Sequence, residues 1–281
     1  MIKNRSTKYF NISKKVLMHI VIYGLAIITV APFIWMLLTS VKGMEEIFTY
    51  PPKWIPSEIH LENYKEAFQA APFGRYYLNS IVVSLTVTIG QLITCSMAAY
   101  AFARLEFWGR DVLFYLFLGT MMIPYQVTMI PSFMVLHWLG WIDSYKALIV
   151  PGLASAFGTF LLRQYFLTIP KELEEAAYID GCSKFKVLWK IIIPLSKPAL
   201  ASLAIFTFMA AFNNFIWPLI VTNSEALRTV PLGLAIFRSR YLTDWDLLMA
   251  SSVMATLPIL LVFFFAQKYF IKGISLSGIK G

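Results

Sequence analysis

Residues 172–194 read ELEEAAYIDGCSKFKVLWKIIIP, a charged stretch set between two long apolar blocks. Pro170 stands just ahead of it and Glu172, Glu174 and Glu175 follow, a helix-start pattern in which acidic side chains favour the positive end of the helix dipole. Gly181 can take the left-handed backbone that ends a helix and turns the chain. The spacing therefore predicts a short helix, a tight turn and a second helix running to Pro194. Small side chains at Ala176 and Ala177 leave a face that another protein can approach closely. Lys184, Lys186, Lys190 and Lys197 equally suit an amphipathic helix resting on anionic headgroups, and the residues alone leave both readings open.

The flanking blocks decide the class of the protein. Of 281 residues, 58% are hydrophobic and 14% charged, where a soluble domain carries about 25% charged. The apolar residues gather in runs of about 20, the length of helix that crosses a bilayer core. Six spans are predicted, at 16–41, 77–103, 112–138, 147–163, 199–221 and 248–267, which makes the chain an all-α integral membrane protein. A basic tail at 1–15 precedes a single transmembrane domain over 16–281, with a cytoplasmic loop at 164–198 and an outer loop at 222–249. The first span is too long for the apolar core of a signal peptide and no small-x-small site follows, so it is expected to stay in the mature protein. With the N-terminus inside, Lys and Arg fall two to one on the cytoplasmic side, which puts both termini in the cytoplasm. The net charge of +9 is scattered between apolar runs, as suits a lipid surface rather than nucleic acid. Cys95 and Cys182 cannot build a disulfide framework.

Prolines interrupt the spans: Pro124 and Pro131 the third, Pro151 with Gly152 the fourth, Pro218 the fifth, Pro258 the sixth. Each removes a backbone hydrogen bond that lipid cannot replace, so a broken span is tolerated where protein or a water-filled cavity surrounds it. The breaks mark a candidate translocation path, although proline is also simply common in membrane helices. No Asp, Glu, Lys or Arg lies mid-span, so no intramembrane group is at hand to harness protons or voltage. The nearest approach to a phosphate-binding loop, Gly273 to Lys280, has the wrong spacing, and three His at 19, 60 and 137 do not make a metal centre. The energy for transport is expected from another chain.

The 172–194 stretch resembles the signature of the inner-membrane permeases of ATP-binding-cassette importers: Glu-Ala-Ala, a Gly four residues after the second Ala, then nine residues and Ile-x-Leu-Pro. Glu175, Ala176, Ala177, Gly181, Ile191 and Pro194 hold those places, with Ile193 where Leu is usual. The likeness extends to the maltose-type carbohydrate branch, and to the smaller permease of each pair. It runs through Phe212-Asn213-Asn214-Phe215-Ile216-Trp217-Pro218-Leu219, Thr229-Val230-Pro231-Leu232-Gly233-Leu234 and the stretch from Gly273 to Gly281. Phe212 replaces a frequent Trp, and Val230 a usual Leu.

This resemblance implies a type I importer permease fold in a bacterial-type inner membrane. It further implies a second, homologous permease, a dimer of ATP-binding subunits beneath and an extracytoplasmic sugar-binding protein above. The six signature residues would couple the chain to the ATPase, and Gly278, Lys280 and Gly281 would add a second contact. Arg238, Arg240 and Tyr241 would form the tip or flank of a scoop entering the binding protein. No cofactor, metal site or catalytic residue is expected in this chain, ATP and Mg belonging to the partner; the chain reads as a transport subunit rather than an enzyme.

Tyr125, Gln126, Asn213, Asn214 and Trp217 are the candidates for the solute path. Amides suit sugar hydroxyls and rings stack on apolar sugar faces, but the same amides suit interhelical hydrogen bonds of about 0.6 kcal/mol each. A permease for a glycerol phosphate compound, served by Arg163 or the outer arginines, and a passive channel are the alternatives.

Overall fold

The regular structure of the described residues, 3–238 and 243–277 of this computed structural model, is helical, without a β-strand. Helix α1 (Lys3–Thr39) covers the first expected span and extends back through the basic tail. The second span is α2 (Phe73–Arg104); the third divides into α3 (Arg110–Gly119) and α4 (Tyr125–Trp138). The fourth divides into α5 (Tyr145–Ile149) and α6 (Ala156–Phe166), and α7 (Glu172–Ile179) occupies the charged loop. The fifth divides into α8 (Lys197–Phe212) and α9 (Ile216–Val221); α10 (Trp245–Ser277) is the sixth. Stretches within α1, α2 and α10, and the 145–166 segment with its short interruption, are long and apolar enough to cross a bilayer.

Three of the expected spans are broken, each at or near a proline that the sequence marks: Pro124, Pro151 and Pro218. The third span bends by 101° between Met122 and Tyr125. The cause is local: Ile123, ahead of a proline, is driven to extended backbone (φ −83°, ψ 117°), and Pro124 has no N–H to continue the ladder. The fifth breaks at 213–215, upstream of Pro218, which is tolerated in the first turn of α9 where its missing N–H has no partner to lose. Asn214 lies two residues ahead of that helix, its Oδ1 accepting the Trp217 N–H of the first turn at 3.2 Å. Pro131 and Pro258 do not break their spans; both lie inside continuous helix.

The chain forms two compact units. One comprises the chain up to Ala71 with Ile236–Met254, the other Pro72–Ala235 with the remainder of α10. In the first unit Lys42 is 1% exposed, its ammonium donating to the Lys53 carbonyl and lying 4.8 Å from the centre of the Trp35 ring. Asn63 donates to the carbonyls of Ser40 and Lys42 at 3.1 and 2.8 Å, closing the turn after α1.

In the second unit α2 is the central element, packed along α8 and α6. Its buried residues, among them Ser80, Val83, Ser84, Val87, Thr88, Cys95, Ala99 and Ala103, recur at helical spacing and are mostly small, which lets neighbouring backbones approach without an aqueous driving force. The charged loop leaves α7 through a turn, passes a short helix at Lys184–Val187 and a wide π-type turn at Leu188–Ile192, and enters α8 with an 82° bend.

Candidate functional site

Helix α7 ends as the spacing predicts. Gly181 stands at φ +77°, its N–H donates to the Tyr178 carbonyl at 3.0 Å, and Cys182 N–H reaches back to the Ala177 carbonyl at 2.9 Å. This paired closure satisfies carbonyls that the helix end would otherwise orphan.

The helix has two faces. Glu175 and Ala176 are exposed and Ile179 is 87% exposed, whereas Glu174 is 4% exposed and Ala177 7% exposed. Ala176 and Ala177 therefore do not share an approach surface, as residues 100° apart on a helix cannot; Ala177 packs inward with Ala103, Ile169 and Val187. Ile191 packs partly against the same core, and Pro194 is exposed just before the bend into α8.

The sequence pattern does not single out Glu174, yet it meets Arg104 from the end of α2, Oε1 to Nε at 2.7 Å, both side chains buried, as an ion pair rather than an aligned hydrogen bond. Burial raises the Glu174 carboxyl above its ordinary range, with the Arg104 charge and the Tyr100 hydroxyl pulling it back. Arg104 Nη2 also donates to the carbonyls of Phe166 and Ile169 at 2.7 and 2.5 Å, ending α6.

A second feature is an open cavity of about 540 Å³. Three interruptions of the chain meet on it: Tyr125 after the first, Gly152 and Ser155 within the second, Asn214 at the third. The backbone freed by the 150–155 break is satisfied by α2. Gln91 Nε2 donates to Gly152 O at 2.8 Å, Thr94 Oγ1 to Leu153 O at 2.5 Å and Cys95 Sγ to Ser155 O at 3.5 Å. Gln91 Oε1 accepts from Thr207 on α8 at 2.9 Å, so one amide ties three segments. The lining polar groups are uncharged, and Thr229 Oγ1 is buried there without a hydrogen-bond partner.

Of the expected path residues, Tyr125, Asn214 and Trp217 line this cavity. Tyr125 and Trp217 meet edge to face at 6.3 Å, and the indole N–H of Trp217 is taken by the Ala147 carbonyl at 2.9 Å. Gln126 and Asn213 do not line it; both side chains are exposed elsewhere. Gln91, outside the expected set, carries a sequence signal all the same, as a lone amide in the middle of an apolar run.

Arg163 is outside the cavity too, its Nε donating to Phe102 O at 3.1 Å and its guanidinium 4.1 Å from the Phe114 ring centre. Arg238 pairs with Thr243 in an isolated bridge; Arg240, Tyr241, Gly278, Lys280 and Gly281 lie outside the described residues.

Residues 92–276, which hold the α7 turn and most of the cavity wall, match the family model of the binding-protein-dependent transport system inner membrane component. The chain belongs to this family. Among its relatives are the arabinooligosaccharides transport system permease protein AraQ of Halalkalibacterium halodurans, 37% identical over 92% of this chain and 93% of that one, and the trehalose/maltose transport system permease protein MalG of Thermococcus litoralis, 37% identical over 95% and 98%. A chain in the crystal structure of a bacterial ABC transporter involved in the import of the acidic polysaccharide alginate superposes with a TM-score of 0.79 at 26% identity, over 95% of this chain and 98% of that one. This chain is thus a transport permease of an inner membrane, with the ABC permease fold.

Proposed function

We propose that this permease is one of two membrane subunits of an ATP-driven importer for a sugar or oligosaccharide, spanning a bacterial inner membrane six times with both termini in the cytoplasm. The observation that carries this reading is the meeting of three chain breaks on one cavity walled by uncharged polar groups and aromatic rings. Gln91, Ser155, Thr207 and Asn214 offer hydrogen bonds to hydroxyls, Tyr125 and Trp217 offer ring faces, and broken backbone is tolerated in a membrane only beside protein or such a cavity. The arabinooligosaccharide and trehalose/maltose relatives support a saccharide.

A second, homologous permease supplies the other wall of the path, and an extracytoplasmic sugar-binding protein delivers the solute. Two ATPase subunits, which hold the ATP and Mg that this chain does not, take the exposed face of α7 at Glu175 and Ala176. The turn at Gly181 and the return through Ile191 and Pro194 fix that face. Gly278, Lys280 and Gly281 form a second ATPase contact, and Arg238, Arg240 and Tyr241 flank the scoop.

The test is saccharide uptake in cells lacking this chain. Uptake should return on re-expression, for the same saccharides that raise the melting temperature of the cognate binding protein. Restored uptake of a phosphorylated solute alone would replace the sugar reading. Flux that survives removal of the ATPase would make the chain a channel.

A further inference from the structure

Side chains of two helices, α2 and α7, are linked at the end of α2. Tyr100 and Arg104 lie four residues apart on α2, and Glu174 and Tyr178 lie four residues apart on α7, so each pair projects from one helix face. Arg104 Nε meets Glu174 Oε1 at 2.7 Å, Tyr100 OH donates to Glu174 Oε2 at 3.4 Å, and the Tyr100 and Tyr178 hydroxyls are 2.9 Å apart. The result is a ladder with two rungs cross-linked through Glu174. Ala177, between the two α7 residues, lies in the same buried cluster as Ala99 and Ala103.

A buried ion pair is a poor device for stability, because the desolvation of both charges offsets most of their attraction and apolar side chains of similar size would serve as well. What it adds is a fixed geometry. Apolar surfaces slide over one another at little cost; a carboxylate shared between a guanidinium and a hydroxyl does not. The covalent route from α7 to the transmembrane helices is less direct, passing the Gly181 turn, the π-type turn at Leu188–Ile192 and the 82° bend before α8. The ladder instead joins α7 to one unbroken helix. From Arg104 to Gln91, where α2 walls the cavity and holds the 150–155 break, is about 20 Å at the helical rise.

We infer that Arg104 and Glu174, with Tyr100 and Tyr178 beside them, are positioning residues for coupling: they carry a displacement of α7 into α2 and along it to the cavity wall at Gln91. The inference rests on the reading that α7 docks an ATPase. It names Glu174, which faces inward, as distinct in role from Glu175, which faces out.

The test uses the assembled importer in lipid, measuring ATP hydrolysed, solute imported, retention of the ATPase subunits and the melting temperature for each variant. Glu174→Gln keeps the side-chain length and an acceptor for Tyr100 but removes the charge. It should retain the ATPase and its hydrolysis while import per ATP falls about tenfold; melting falls as well, because Arg104 is left buried without its counter-charge, so the ratio of import to hydrolysis is the readout. Glu174→Asp should recover part of that ratio, and Tyr100→Phe, the mildest change, should lower it a few-fold.

An unchanged ratio in Glu174→Gln and Tyr100→Phe would overturn the inference. So would a parallel fall in hydrolysis, import and melting temperature, which would leave the pair a structural role only. Glu175→Lys is the control for the docking reading: full import with the ATPase retained would sink that reading, whereas an impaired Glu175→Lys beside a normally coupled Glu174→Gln would sink the ladder alone.

Discussion

Asp143 and Ser224, 81 positions apart, share two hydrogen bonds on one oxygen: the Ser224 N–H at 3.0 Å and its hydroxyl at 2.9 Å both reach Asp143 Oδ1. Asn223 N–H adds a third at 3.0 Å, and Asp143 N–H returns one to the Val221 carbonyl at 2.8 Å, which anchors the root of the loop after α9 to the turn before α5. The Ser224 amide is the main cause that holds the Asp143 carboxyl below its ordinary value; burial opposes it, and the Asn223 amide and the Ser224 hydroxyl add to the lowering. The unfolded chain therefore binds this proton more readily. The contribution to stability is complete above the unfolded value of about 3.9 and is lost as pH falls through the lower folded value. Asp143→Asn keeps an acceptor and a residue type at ease with φ 59°. In detergent its melting temperature should lie below that of the parent at neutral pH, and the gap should narrow progressively as pH falls from about 5. A gap that stays constant over that range would refute the assignment.

Gly233→Ala should destabilise the second unit. A Cβ there would fall 2.7 Å from Tyr76 Cε2 and closer still to Cδ2, and Tyr76 is wholly buried, so its ring has nowhere to go. Overpacking of this kind costs about 1–3 kcal/mol. A lowered melting temperature, partly restored when Tyr76 is cut back to Leu, is the expected result; an unchanged one would mean the ring yields.

At Gly181 the penalty is conformational rather than steric, because no atom lies within 4 Å of the point a Cβ would occupy, while φ is +77°. Ala should therefore cost about 1–2 kcal/mol in the turn, Val more, and Asn less. Saccharide uptake and ATPase retention in pull-downs should fall in the order Asn, Ala, Val. Equal behaviour of Val and Asn would detach the turn from coupling.

For orientation, single cysteines are placed in a background with Cys182→Ser. Asn63 is buried beneath the turn after α1 and is a poor reporter; Lys65 and Asn223 are exposed and should react with an impermeant maleimide from outside. Ser183, exposed in the charged loop, should react only after permeabilisation. Labelling of position 183 in intact cells would invert the topology.

Asn213 and Asn214 should behave differently although adjacent. Asn214→Ala removes the acceptor for Trp217 N–H at the cavity, with an expected loss of about 1 kcal/mol and altered uptake. Asn213→Ala should leave both melting and uptake near the parent. A sugar-selective loss without a melting change in Asn214→Ala would make the amide a solute contact rather than a partner for the backbone.

Four apolar segments of bilayer length and the Gly181 turn are legible because each rests on a local property: a long apolar run, and a residue free to adopt positive φ. The bend in the third span is not, despite Pro124, since sequence shows that a hydrogen bond is lost but not whether the helix bends or resumes. Pro131 and Pro258 carry the same local signal and are absorbed. Glu174 escapes notice for another reason: beside Glu175 it has identical chemistry, and only the direction of the helix face, fixed by Ala177 turning inward, separates their surroundings. Asn213 and Gln126 are drawn in by side-chain type alone, which says nothing of the side of a helix on which a cavity opens.

Gln91, Thr94 and Cys95 find their backbone partners 59 to 61 positions later in the chain, and Gln91 finds Thr207 116 positions later. During synthesis from the N-terminus, α2 therefore emerges with a stripe of polar groups that stay idle until the 145–166 segment is made, about 3–12 s at ordinary translation rates. Over that interval the helix is shielded only by whatever the insertion machinery provides. A ribosome stalled between residues 104 and 150 would strand it in the bilayer without partners, so α2, the central helix of the second unit, is open to quality control while it is being born.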